Sequence, residues 1–92
     1  MPILGDDDVR TRLADLPGWA FDGGAIWKRF TFENFVGSVM FVNRITGAAE
    51  AANHHPDIAI NWNAVTVTLT THSQGGVTEA DLALAAQIEA VS

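Results

Sequence analysis

The sequence contains no cysteine among its 92 residues. Disulfide bonds and thiol chemistry are therefore excluded, and cysteine usage leaves the redox compartment open. Positive charge is also scarce, because five Lys and Arg residues face eleven Asp and Glu, for a formal net charge of −6. Nucleic-acid phosphates and anionic membrane surfaces are bound by clustered Lys and Arg, so this balance argues against both partners.

Long apolar runs are missing as well. No segment approaches the ~18 consecutive apolar residues of a membrane span. The N-terminal letters MPILGDDD lack the basic region and the apolar stretch of a signal peptide. The sequence therefore predicts a cytoplasmic protein without a membrane segment. Its length predicts a single domain, residues 1–92.

The excess of apolar over charged residues indicates a partner subunit. Hydrophobic residues make up 48% of the chain and charged residues 17%, and a chain of this length has only a modest core in which to bury them. The helical pattern of residues 33–52 places Phe35 and Val39 on one face and Phe41 and Ile45 on the other. A helix that is apolar on two faces is usually buried on both. We predict self-association through this helix, with Phe41 or Ile45 facing the partner; alternatively, its small Ala and Gly residues tolerate solvent.

Helical spacing predicts a short helix near the start of the chain. Val9, Leu13 and Leu16 recur on one face, and acidic residues fill the first turn. Asp6 is the expected N-cap. The Pro-Gly pair at residues 17–18 is the expected stop.

The β-rich runs of the sequence pair off into two hairpins. The first turns at Gly23-Gly24, and the second turns near Trp62. In the second hairpin Val65 and Val67 alternate with threonines, which makes one face of the sheet apolar and the other polar. The sequence therefore predicts an α+β fold of order α-ββ-α-ββ-α, a two-layer arrangement in which helices cover one face of a four-stranded antiparallel sheet.

All three histidines are predicted to meet at one edge of this sheet. His54 and His55 stand at the end of the long helix, where Pro56 pushes the preceding residue out of the helical region. The antiparallel neighbour strand ends at His72, in register with its polar face, and this brings His72 beside the doublet. A zinc site is the main alternative. Because the histidines lack the usual spacing of zinc ligands, we expect no metal.

Two carboxylates near the histidines have different expected roles. Glu50 lies one helical turn before His54, so we expect it to accept a hydrogen bond from that imidazole and fix its tautomer; alternatively, it is a solvated carboxylate at the helix end. Asp81 stands three residues after Thr78, in the spacing of a capping box. We expect Asp81 to cap the last helix rather than to take part in catalysis.

These segments together resemble the pterin-4a-carbinolamine dehydratase family. The resemblance rests on EAANHHP, the tryptophan that follows it, TTH, and GGVTEADLALA. LPGW and DGGAIWKRFTF stand in the family's order, so the resemblance extends over nearly the whole chain. Asn53 stands where some members have aspartate. The resemblance implies the α-ββ-α-ββ-α fold and a homodimer or homotetramer.

The resemblance also implies a hydro-lyase. Members dehydrate 4a-hydroxytetrahydrobiopterin to quinonoid dihydropterin and water, which recycles the cofactor of aromatic amino-acid hydroxylases and implies a functional link to such an enzyme. No cofactor is implied, because the pterin is the substrate. The catalytic residues implied are His54, His55, His72 and Glu50. The substrate-binding residues implied are Trp19, His54, His55, Pro56, Thr71, His72, Ser73 and Gln74.

Imidazole chemistry suits this reaction on its own terms. A free imidazole titrates at about pH 6.5, so it can give or take a proton at neutral pH. We expect His54 and His72 to act as acid and base, and His55 to bind and orient the pterin. The alternative is a non-catalytic binding or assembly module on the same fold, which some relatives are. The intact histidine set favours the enzyme, because a scaffold has no need of it.

Overall fold

The computed structural model describes residues 2–92. Three helices and four strands follow one another as α1 (Asp6–Leu13), β1 (Ala20–Asp22), β2 (Ala25–Thr31), α2 (Phe35–Ala52), β3 (Asp57–Asn61), β4 (Ala64–Leu69) and α3 (Glu79–Val91). The strands form one antiparallel sheet in the spatial order β1-β2-β4-β3. The predicted α+β fold and its element order are confirmed. No helix within residues 2–92 is both long and apolar enough to cross a membrane.

Both hairpins turn where the sequence predicts. Gly23 and Gly24 have φ values of 60° and 80°, and a two-residue turn with positive φ at both positions matches the twist of the strands that it joins. The second hairpin turns at Trp62, whose φ of 51° is unusual for a bulky residue. Its carbonyl oxygen accepts a hydrogen bond of 2.8 Å from the buried Ser38 hydroxyl, which holds this turn against α2.

The alternation predicted for β4 is confirmed. Val65, Val67 and Leu69 are fully buried beneath the helices, whereas Thr66 and Thr68 lie half-buried on the opposite face. Burial of one face and partial exposure of the other is what the two-residue period of a strand produces. This strand and β2 form the centre of the sheet, while β3 and β1 form its edges.

The two apolar faces of α2 are assigned by packing. Phe41 and Ile45 are buried in the core, so the expectation that one of them faces a partner is wrong. The outward apolar side chains are instead Phe35, Val36 and Met40, whose exposed fractions are 53%, 62% and 53%. The helical pattern showed two apolar faces, but only the position of the sheet decides which of them is covered.

The first helix differs from its prediction at both ends. Its N-cap is Gly5, and no side chain caps it, so Asp6 is not the cap but the first helical residue. The helix ends at Leu13, and Leu16 packs against the core from the turn that follows. A hydrophobic period can thus continue past the helix when the next turn faces the same core.

Candidate active site

The histidine doublet lies at a corner created by the end of α2. Asn53 caps this helix in the left-handed region, at φ 49°, which asparagine tolerates better than most residues. The backbone N–H of Asn53 donates to the Glu50 carbonyl, and that of His54 donates to the Ala49 carbonyl, each over 3.1 Å. The doublet therefore follows an abrupt helix end, and its two side chains have different partners.

His54 is the more enclosed member of the doublet. Its side chain is 15% exposed, and its Nε2 lies 2.5 Å from Oδ1 of Asp81, a side chain that is fully buried. These residues are 27 positions apart in the chain. The structure thus joins an imidazole at the end of α2 to a carboxylate in the first turn of α3.

Asp81 serves two functions at once. Its Oδ2 accepts hydrogen bonds of 2.8 Å from the Thr78 backbone N–H and from the Thr71 hydroxyl. The first of these bonds belongs to the capping box predicted for α3, which is confirmed. The expectation that Asp81 caps the helix is confirmed, and in addition its other oxygen binds His54. The sequence pointed to Asp81 through the capping-box spacing of TEAD. That spacing explains the bond made by Oδ2 but not the bond between Oδ1 and His54.

His55 is the exposed member of the doublet. Its Nε2 shares a hydrogen bond with Oε2 of Glu50, and both side chains are largely in solvent. The predicted hydrogen bond between Glu50 and His54 is therefore wrong. The reason is the left-handed residue Asn53, which ends the helix before the i, i+4 geometry reaches His54. Glu50 instead reaches the next imidazole along the chain.

His72 lies at the same corner but outside the sheet. β4 ends at Leu69, and a bridge between Thr71 and Gly76 closes a turn that contains His72. The strand position expected for His72 is therefore wrong, because the chain folds back before reaching it. The imidazole is 77% exposed, and its Nε2 lies 4.0 Å from Oδ2 of Asp57, the first residue of β3.

The other predicted substrate contacts divide into two groups. Pro56 is half-buried between the doublet and β3, and Ser73 and Gln74 are exposed in the turn beside His72. These three residues are adjacent in the chain to His55 or His72. Thr71 is different, because its hydroxyl is bonded to Thr78 and Asp81 and belongs to the buried side of the site.

Trp19 is not brought to the histidine corner. Its side chain is buried, its ring packs edge-on against Phe30 with the centroids 6.2 Å apart, and its indole N–H donates to Glu89 Oε1 over 2.8 Å. Glu89 follows Asp81 by eight residues on α3, a separation of roughly 12 Å along a helix. In this chain Trp19 therefore belongs to the core at the other end of α3.

The corner thus presents three imidazoles in three environments. One is hydrogen-bonded to a buried carboxylate, one is hydrogen-bonded to an exposed carboxylate, and one lies in an exposed turn, 4.0 Å from the Asp57 carboxylate. Imidazoles held at two sides of a substrate can move protons to and from it. Within residues 2–92 no three His, Asp or Glu side chains are grouped closely enough to hold a metal ion.

Comparison with known proteins identifies the family. The family model described as "Pterin 4 alpha carbinolamine dehydratase" matches residues 2–91. The chain belongs to this family. A Thermosynechococcus vestitus relative named "Putative pterin-4-alpha-carbinolamine dehydratase" is 51% identical over 82 residues, which are 89% of this chain and 86% of that protein. One of the same name from Mycobacteroides abscessus is 46% identical over 89 residues, 97% of this chain and 95% of that protein.

Solved structures of the pterin dehydratase type share this fold. The crystal structure of a transcriptional coactivator/pterin dehydratase from Brucella melitensis has a TM-score of 0.91 and 36% identity, and 97% of each chain is covered. A pterin dehydratase-like protein identified as a RuBisCO assembly factor in the alpha-carboxysome has a TM-score of 0.64 and 24% identity, over 79% of this chain and 84% of that one. The second similarity shows the fold alone.

Proposed function

We propose that this protein is a cytoplasmic enzyme that dehydrates 4a-hydroxytetrahydrobiopterin, or a closely related pterin, to quinonoid dihydropterin and water. Family membership supports pterin-carbinolamine dehydratase chemistry. The observation that carries the proposal is the pairing of His54 with the fully buried Asp81, beside two further imidazoles. Burying a carboxylate is unfavourable unless it is hydrogen-bonded. A buried carboxylate that has one oxygen bonded to a partly exposed imidazole suits proton transfer.

The reaction needs two proton transfers. The N5–H bond of the pterin breaks, its electron pair forms the N5=C4a double bond, and the C4a–O bond breaks. The departing hydroxyl takes a proton and leaves as water. We assign these transfers to His54 and His72, and such positioned groups contribute roughly 10²–10⁴-fold each. The proposal includes no metal and no cofactor other than the pterin substrate.

His55 is assigned to pterin binding. It is exposed at the corner and oriented by Glu50, which accepts its hydrogen bond. Pro56, Ser73 and Gln74 are assigned to further pterin contacts because they directly follow His55 and His72 in the chain. Trp19 is left out of the pocket of its own chain, since its indole is fixed in the core by Glu89.

We also propose that the protein is a homodimer or homotetramer. Phe35, Val36 and Met40 form an exposed apolar row on α2. Ile58 and Ile60 lie at the sheet edge, on the same sheet face as the buried valines of β4 with which they pair, and are also exposed. Clustered exposed apolar side chains, such as those on α2, mark an interaction surface. We propose that a second copy of the chain covers these side chains.

The product is proposed to return to a pterin-dependent aromatic amino-acid hydroxylase. The alternative function, a non-catalytic assembly or binding module, is separated from this one by a direct assay. Purified, chelator-treated protein is mixed with 4a-hydroxytetrahydrobiopterin, and formation of the quinonoid product is followed against the uncatalysed rate. We expect acceleration that survives chelation. No acceleration over the uncatalysed rate would favour the assembly module instead.

A further inference from the structure

A chain of hydrogen bonds runs from the start of α3 to His54. The backbone N–H of Ala80 donates to the Thr78 hydroxyl over 3.2 Å, and that hydroxyl lies 2.8 Å from the Thr71 hydroxyl. The Thr71 hydroxyl lies 2.8 Å from Asp81 Oδ2. The other carboxylate oxygen, Oδ1, is 2.5 Å from His54 Nε2. These hydrogen bonds therefore connect, one after another, two hydroxyls, a carboxylate and an imidazole.

When Asp81 is a carboxylate, the donor and the acceptor of every hydrogen bond in this series are fixed. Each hydroxyl has a single hydrogen. The Thr71 hydrogen goes to Asp81 Oδ2, so the hydrogen between the two hydroxyls comes from Thr78. Oδ2 also accepts the Thr78 backbone N–H. A carboxylate only accepts hydrogen bonds, so the hydrogen between Asp81 and His54 is carried by Nε2.

The second ring nitrogen of His54, Nδ1, is accessible from the surface. Nδ1 forms no hydrogen bond with any residue of the described part of the chain, and His54 is only partly buried. Among residues 2–92 no buried side-chain nitrogen or oxygen lacks a partner. It follows that Nδ1 reaches solvent rather than the interior. In neutral His54 this nitrogen carries a free lone pair.

We infer that Thr71 and Thr78 are positioning residues that fix His54 in the Nε2–H tautomer, so that it acts as the base through Nδ1. The inference rests on the proposed function for its substrate. In the dehydration, Nδ1 takes the N5 proton as the N5=C4a bond forms and the C4a–O bond breaks. Asp81 then faces the imidazolium that results. The leaving hydroxyl takes its proton from protonated His72 and departs as water. His54 then releases its proton to solvent, and His72 takes one up from solvent.

This inference changes the role of Thr71. The family resemblance assigned Thr71 to substrate binding, but its hydroxyl already donates to Asp81 and accepts from Thr78. A substrate contact and a positioning role differ in kinetics. Loss of a substrate contact raises KM, whereas loss of a group that acts only in the transition state lowers kcat.

The tautomer itself is tested by NMR without any substrate. Long-range ¹H–¹⁵N spectra of the ¹⁵N-labelled protein show which ring nitrogen of neutral His54 carries the proton. We expect Nε2–H in the wild type. In Asp81→Asn, the amide oxygen faces the Thr71 and Thr78 donors and the NH₂ group faces His54, so we expect the tautomer to change to Nδ1–H. A wild-type His54 in the Nδ1–H form would overturn the inference.

The positioning role is tested by kinetics of Thr71 variants on 4a-hydroxytetrahydrobiopterin. Thr71→Val removes a hydrogen bond to a carboxylate, and we expect kcat to fall roughly tenfold with little change in KM. Thr71→Ser keeps the hydroxyl and should restore kcat. Thr66→Val is the matched control, because Thr66 lies on the open sheet face outside the chain of hydrogen bonds. A raised KM with unchanged kcat in Thr71→Val would overturn the inference in favour of a direct substrate contact.

The proposed function and the inference about His54 can be disproved independently of each other. Wild-type protein that does not accelerate pterin dehydration overturns the proposed function, whatever the NMR spectra show. An active wild type with His54 in the Nδ1–H form overturns only the inference about His54. If Thr71→Val does not fold, Asp81→Asn still decides the inference about His54, since in that variant the tautomer must change to Nδ1–H and kcat must fall by roughly 10²–10⁴-fold.

Discussion

Glu50 and His55 are joined by a hydrogen bond across the end of α2, while the adjacent His54 is joined to Asp81. Neighbouring imidazoles therefore have carboxylate partners that differ in exposure. The His55 pair is in solvent, where it orients a side chain without burying charge. The His54 pair is enclosed, and the geometry of such a pair is held by several hydrogen bonds together.

We expect His55 and Glu50 to affect substrate binding more than chemistry. His55→Ala should raise KM for 4a-hydroxytetrahydrobiopterin roughly threefold to tenfold, the equivalent of one hydrogen bond of about 1 kcal/mol. Glu50→Gln keeps the shape of its side chain and should raise KM less. Steady-state kinetics of both variants test this. A loss confined to kcat would place His55 in the proton-transfer step instead.

We expect His54 and His72 to act together on one transition state. Replacing either by alanine should lower kcat by roughly 10²–10⁴-fold. The double variant should lose much less than the product of the single losses, because groups that act as a unit are not additive. The measurement is single-turnover dehydration by chelator-treated proteins. Activity that disappears on chelation and returns with zinc would contradict the metal-free mechanism.

Thr78 should matter for both stability and turnover. Thr78→Ala removes an N-cap, and we expect the free energy of unfolding to fall by about 1 kcal/mol in urea titrations. If Thr78 only caps α3, turnover by Thr78→Ala should be unchanged. Because the Thr78 hydroxyl also bonds Thr71, we expect kcat to fall as well, though less than in Thr71→Val. Thr78→Ser is the control that keeps both bonds. Unchanged kcat in Thr78→Ala would restrict this hydroxyl to the helix cap.

The exposed row on α2 is tested by adding a charge. Met40→Glu should split the assembly, because burying an unpaired carboxylate in an apolar interface is strongly unfavourable. Gln87→Glu adds the same charge to an exposed position on α3 and should leave the assembly intact. Sedimentation velocity at micromolar concentration measures both. A wild type that sediments as a monomer would contradict the proposed assembly.

The contact between α1 and α3 should weaken in acid. The two terminal guanidinium nitrogens of Arg12, Nη1 and Nη2, donate to the Glu79 carboxylate, over 2.6 and 2.8 Å, and this hydrogen bonding lowers the pKa of Glu79 from its usual 4.5. A carboxylate with a lowered folded-state pKa adds stability above its unfolded pKa and loses it as pH falls through the folded value. The stability difference between wild type and Glu79→Gln should therefore be present at neutral pH and shrink below pH 4.5. Urea titrations at several pH values measure this difference. Because the pair is exposed, added salt should reduce the difference as well.

Much of this protein is determined by local sequence patterns. The alternation of Val65 and Val67 with threonines defines a half-buried strand, and Gly23-Gly24 defines a two-residue turn. The spacing of Thr78 and Asp81 defines a capping box. Each of these signals depends on residues a few positions apart, whose relative geometry the backbone period already fixes. The fold and its order follow from them, as does the family resemblance.

The pairing of side chains within the site is decided only by the tertiary structure. Glu50 lies closer in sequence to His54, yet it binds His55, because the left-handed Asn53 ends the helix and redirects both imidazoles. The partner of His54 is Asp81, 27 residues away, and only the packing of α3 brings it there. The period of α2 likewise shows two apolar faces, while the sheet selects the one that is covered. A hydrogen bond depends on a few tenths of an ångström and on orientation, and these are set by how distant elements pack rather than by spacing along the chain.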